Sequence, residues 1–118
     1  MKKEDEADLS KSLAEYENLE KQLEVLLIQK NQISLQSAET RNALEELKAA
    51  QGDVYRSVGS LVLKTTREEA EKSLKERSEL LEIKQKAVSK EEEKLKTVIL
   101  DLQDKLKEKM KAYEGKTS

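Results

Sequence analysis

The chain of 118 residues contains no Cys, His, Pro, Trp or Phe, only three Gly, and 3% aromatic residues in all. Each absence removes a class of chemistry. Without Cys there is no disulfide and no thiol nucleophile, and without Cys or His the usual zinc ligand sets cannot be built. The side chain most used as a general base is also missing. Carboxylates are plentiful, but a catalytic acid needs a buried pocket to move its pKa, and a chain poor in large aromatic residues builds little interior. The residues point away from an enzyme, and no cofactor or metal is expected. A formal net charge of −2 offers no basic face for phosphate neutralisation, which argues against nucleic acid as a partner. No apolar run approaches the roughly 20 residues of a membrane span. The N-terminal MKKEDEAD follows its lysines with acids rather than an apolar core, so no signal peptide is expected. The expectation is a protein of the cytoplasm with no membrane contact.

What is present is charge, at 41% of residues, and apolar residues at helical spacing, a combination that points to coiled coil. In the first half, positions seven apart read Leu9, Tyr16, Leu23, Lys30, Ser37, Leu44, and a companion series reads Ser12, Leu19, Leu26, Ile33, Thr40, Leu47. The alternation of three and four is the seam of a coiled coil. In the second half the series are Leu74, Leu81, Val88, Leu95, Leu102, Lys109 and Ser78, Gln85, Glu92, Ile99, Leu106, Tyr113. Folding the chain back near residue 59 sets Leu23 beside Leu95, Leu19 beside Ile99, Tyr16 beside Leu102 and Leu44 beside Leu74. The apolar halves of the two seams then coincide, and each arm would be on the order of 60 Å long at about 1.5 Å per residue. Pairs such as Glu17–Lys21, Glu68–Lys72, Glu71–Lys75, Glu82–Lys86 and Glu92–Lys96 have the i,i+4 spacing that supports exposed helix.

Residues 53–65, DVYRSVGSLVLKT, break this pattern: they are β-branched and apolar around Gly59. A two-residue turn at Gly59-Ser60 of type II′ would place Val58 opposite Leu61, Arg56 opposite Leu63 and Val54 opposite Thr65. One face would carry Val54, Val58, Leu61 and Leu63, the other Tyr55, Ser57, Val62 and Lys64. A turn at Val58-Gly59 would shift the register and change these faces. Gly52 reads as the residue past the first helix, Thr66 with Glu69 as a capping box opening the second, and Gly115 as its end. The expected organisation is a disordered tail over 1–8, one domain over 9–114 (helix 9–51, β-hairpin 53–65, helix 67–114) and a disordered tail over 115–118. An isolated two-stranded ribbon is marginal in water, and helix–helix connections usually take about two to eight residues. The island therefore reads as more than a connector: hairpins of several subunits would pair edge to edge and close a barrel.

The run ALEELKAAQGDVYRSVGSLVLKT (Ala43–Thr65), followed by REEAEKSLKERSELLE, resembles the β class of the prefoldin family, whose members show a similar "ALEEL…VY-K/R-S-V-G-x-L-x-L-K" run between their helices. LEVLLIQKNQI (Leu23–Ile33) is similar to the family's first helix, and the likeness spans roughly residues 9–112. One hairpin rather than two fits the β class. The resemblance implies a mostly α fold, an antiparallel two-helix coiled coil whose central hairpin pairs with other subunits in a β-barrel. It implies an archaeal-type hetero-hexamer of two α and four β subunits, partnered by a prefoldin α-type subunit and other β subunits. It also implies an ATP-independent chaperone that holds unfolded client proteins at the coiled-coil tips and delivers them to a group II chaperonin.

On this chain the tips correspond to about Leu9–Tyr16 and Leu102–Tyr113. The residues themselves offer Leu9, Leu13, Tyr16, Leu106, Met110 and Tyr113 there, apolar groups at an open end where the partner shell is incomplete. Such groups suit weak capture of many sequences, and methionine adapts to varied partners. The plainer alternative makes them the last seam layers. The flanking charges, two Lys against four Asp/Glu over 1–8 and five Lys against two Glu over 105–118, read as solvated surface or as an aid to chaperonin docking. A competing class is a passive structural or adaptor coiled coil without client binding. A weaker one is a nucleic-acid-binding helical hairpin, for which the basic stripe is missing.

Overall fold

The computed structural model describes residues 3–117. Four elements follow one another: helix α1 (Lys3–Ala49), strand β1 (Val54–Val58), strand β2 (Leu61–Thr65) and helix α2 (Arg67–Thr117). The chain clusters into two units, one of residues 1–29 with 88–118 and one of residues 30–87.

In the second unit the strands pair antiparallel with Val54 opposite Thr65, Arg56 opposite Leu63 and Val58 opposite Leu61, the register expected from a Gly59-Ser60 turn. Gly59 has φ of +61°, and among the described residues no non-glycine residue has positive φ. Left-handed backbone at the first turn position alone is the requirement of a type II′ turn. The chain leaves α1 with Ala50 N–H donating to the Glu46 carbonyl at 2.8 Å, and Gly52 takes φ of +92°. α2 opens on Thr66, whose hydroxyl accepts the Glu69 N–H at 3.1 Å. The reciprocal half of the expected capping box is replaced: the Glu69 carboxylate accepts from the Thr65 hydroxyl at 3.1 Å. Arg67 ties the two helices together: its guanidinium donates to the carbonyl of Leu47 at 2.6 Å and to that of Ala50. Those carbonyls lie at the C-terminal end of α1, where orphan acceptors and the negative end of the dipole favour a cation. Within this unit Gln85 Nε2 also donates to Ser34 Oγ at 3.4 Å, and the core consists of Thr40, Leu47 and Leu81, the last 3% exposed.

In the first unit the cross-helix polar contacts include Tyr16 with Gln103, Ser12 with Lys109 and Asp8 with Lys109. Rising numbers on α1 meet falling numbers on α2, so the helices run antiparallel there. Ser12, Glu92, Ile99 and Leu106 are the buried residues. Across both units every position of the two α1 series is buried or half-buried, as are all those of α2 except Ser78 and Tyr113. Among the described residues no side chain is fully buried, as a seam one stripe wide dictates. Of the five i,i+4 pairs, Glu71–Lys75, Glu82–Lys86 and Glu92–Lys96 form at 3.0, 3.6 and 3.4 Å.

Three helix boundaries differ from expectation, the smallest being the end of α1 at Ala49 rather than at 51. The tail expected over 1–8 is helical from Lys3, because Glu4, Asp5 and Glu6 place negative charge on the first turn, where the helix dipole favours it. Gly115 does not end α2, which continues to Thr117. Glycine weakens a helix without forbidding it, and here it keeps an ordinary φ. Met1, Lys2 and Ser118, the remainder of the two expected tails, lie outside the described residues.

Candidate functional site

Two surfaces stand out, one in each unit. The hairpin exposes most of its apolar side chains: Val58 is 48% exposed, Leu61 61%, Val62 68% and Leu63 50%. Val54, at the root of β1, is half-buried. Strand propensity explains these residue types in a pleated ribbon, but beyond the half-buried Val54 and Thr65 at its root every strand residue is exposed. β1 also borders an open cleft of about 660 Å³ over the helix ends, lined by Ala43, Leu47, Ala50, Ala70 and Leu74 beside the strand. The ribbon has two strands only, so both outer edges carry backbone groups available to another strand. At its base Lys64 pairs with Asp53 at 3.5 Å.

At the helix ends of the first unit the six expected residues separate into two kinds. Leu106 is buried at 7% exposure, and Leu9 and Tyr16 are half-buried; these three belong to the seam. Leu13, Met110 and Tyr113 are 44%, 49% and 38% exposed and form the open apolar set. Tyr16 is further held by polar contacts: its phenolic oxygen accepts from Gln103 Nε2 at 3.1 Å. Its bond to Glu20 holds the phenol pKa above the ordinary value, since ionisation would set two negative charges together. Lys109 crosses from α2 to contact Asp8 at 2.8 Å and Ser12 Oγ at 2.9 Å.

The exposed apolar surface of this unit is wider than the expected set. Val25, Ile28, Val98 and Leu100 are each 48% exposed or more, and Val25 lines a shallow cleft with Lys21, Gln29 and Leu95. The signal was legible in LEVLLIQ, where five apolar residues fall within six positions and cannot all face one seam. Among the described residues no cluster of acidic side chains could hold a metal ion, and no helix is long and apolar enough to cross a membrane.

A family model described as "Prefoldin subunit" matches residues 10–113. The chain belongs to the prefoldin family. Curated prefoldin relatives include the prefoldin subunit beta of Methanosarcina acetivorans, 36% identical over 102 residues, covering 85% of this chain and 87% of that protein. The prefoldin subunit beta of Pyrococcus abyssi is 35% identical over 96 residues, with 80% and 82% covered. Among solved structures, the crystal structure of the prefoldin beta subunit from Thermococcus strain KS-1 superposes with a TM-score of 0.77 at 30% identity, covering 86% of this chain and 90% of that one. The prefoldin match takes in the hairpin and five of the six expected tip residues; Leu9 lies one position before it.

Proposed function

We propose that this chain is a subunit of an ATP-independent chaperone that holds unfolded polypeptides at its helix ends and assembles through its hairpin. The observation that carries the reading is the separation of two exposed apolar surfaces by chemistry. The hairpin offers unpaired strand edges with Val58, Leu61, Val62 and Leu63 exposed, a surface suited to ordered β pairing. The helix ends offer Leu13, Met110 and Tyr113, partly exposed side chains suited to weak contact with many sequences.

Membership of the prefoldin family supports an assembly of a prefoldin α-type subunit with β subunits, two α and four β, in which the hairpins close a β-barrel and remove their edges. Val54, Val58, Leu61 and Leu63 would form one face of the pairing strands. Hand-over to a group II chaperonin would use the same helix ends and proceed in the cytoplasm. Leu13, Met110 and Tyr113 would make first contact with client, while Leu9, Tyr16 and Leu106 would contribute only where the helix ends part.

The test is a light-scattering assay of a chemically denatured client diluted into buffer without nucleotide. The chain mixed with a prefoldin α-type subunit is expected to form one hexameric species and to suppress aggregation near one complex per client. Formation of the hexamer without any suppression would replace this reading with that of a passive structural coiled coil.

A further inference from the structure

We propose that Lys109 is a polar latch that sets how far the paired helix ends part, and thereby how much apolar surface they present. The inference rests on the reading of those ends as a capture surface.

Lys109 stands at a seam position, one heptad after Leu102, where a coiled coil is most stable with an apolar residue. It is half-buried, so its methylene stem lies along the seam while the ammonium reaches out. That ammonium contacts two α1 side chains one helical turn apart, Asp8 at 2.8 Å and Ser12 at 2.9 Å. Ser12 is itself buried at 7% exposure, so the layer that closes this end is polar on both helices. The next apolar layer inward is Leu106, equally buried, and the next seam residue outward is Tyr113, which is exposed.

A leucine at this position would hold the end shut through apolar burial. An ion pair between partly exposed groups is weak and screened by salt, and so can open and close. Opening would uncover Leu106 and Leu9, the two leucines that the closed seam withholds, and would enlarge the surface begun by Leu13 and Met110. An acidic or hydroxyl-rich segment of a client would compete for the same ammonium, coupling arrival of a polypeptide to exposure of the leucines.

The chain has no cysteine, so Ala7→Cys with Ala112→Cys gives a defined nitroxide pair across this end. Dipolar broadening of the full chain, assembled with an α-type subunit, is expected at about 0.02 M salt and to weaken at about 0.5 M. Lys109→Gln should reduce the closed population about two- to fivefold at low salt. Lys109→Met should keep the broadening at both salt concentrations, and as a folded, tightened variant it should suppress client aggregation about two- to fivefold less. A Lys109→Met spectrum with the wild-type salt response, or a Lys109→Gln spectrum identical to wild type, overturns the latch. Spectra as expected with unchanged aggregation suppression support the latch and count against capture at the helix ends.

Discussion

Leu63→Asp tests the hairpin as the assembly element. Leu63 is 50% exposed, so a neighbouring strand can remove about half of its apolar surface from water. Full burial of a leucine is worth about 1.5–3 kcal/mol, which makes the loss on substitution about 1 kcal/mol for each hairpin contact. A carboxylate facing the apolar side chains of a neighbouring hairpin adds at least about 2 kcal/mol in unmet polar interactions. The sum, about 3 kcal/mol per interface, lowers each association constant by about a hundredfold, and a closed ring multiplies the effect. The isolated chain should hardly notice. The side chain is exposed, and a carboxylate there would sit opposite Arg56, a favourable cross-strand pair. Multi-angle light scattering after size exclusion, with an α-type subunit present, should therefore show loss of the hexamer, while helical circular dichroism stays at the wild-type level. A hexamer of unchanged mass and dissociation midpoint would refute assembly through this face.

Other expectations follow from the packing. Leu81→Ala, at the most enclosed apolar position, should cost about 2–4 kcal/mol in chemical denaturation, whereas Ile83→Ala, 65% exposed, should stay within about 0.5 kcal/mol. Arg67→Met removes the donor to the Leu47 and Ala50 carbonyls and should cost about 1–2 kcal/mol, seen first as faster hydrogen exchange over residues 44–50. Lys75 holds the Glu71 carboxyl below its ordinary pKa through a hydrogen bond and its charge. A lowered folded pKa gives stability that is present above the unfolded pKa and lost as pH falls through the folded one. An NMR titration should accordingly find Glu71 titrating below its ordinary range and returning toward it in Lys75→Ala. An unchanged Glu71 in that variant would show that the pair does not form in solution.

Much of this architecture was legible in the residues because a coiled coil writes its packing into a period. Apart from Ser78 and Tyr113, the seam positions named from spacing are enclosed, down to the polar layers at Ser12 and Thr40. Gly59 left two hairpin registers open, and the structure takes the one with Gly59 at the first turn position, the position that needs left-handed backbone. What escaped is what spacing does not encode. The start of α1 at Lys3 depends on first-turn acids acting on a dipole, and the continuation of α2 past Gly115 on the modest cost of glycine near a helix end. The Arg67 clamp joins residues seventeen and twenty positions apart and depends on the turn geometry between them. The clamp of Lys109 left only a lysine at a seam position as a trace; the expected register sets it beside Leu9, and its contacts with Asp8 and Ser12 are visible only in the structure. The candidate tip set was half legible: Leu13 and Met110 lie off the seam, but the exposure of each residue depends on how the helix ends meet. Leu106 falls on the enclosed side of that division.

The central claim, capture at the helix ends and assembly at the hairpin, is tested most directly by the triple variant Leu13→Ser, Met110→Ser, Tyr113→Ser in complex with an α-type subunit. All three side chains are exposed, so fold and assembly should survive, which the mass of the complex checks in the same sample. The account predicts an intact hexamer whose suppression of client aggregation falls several-fold. An intact hexamer that suppresses aggregation as well as the wild type would contradict it.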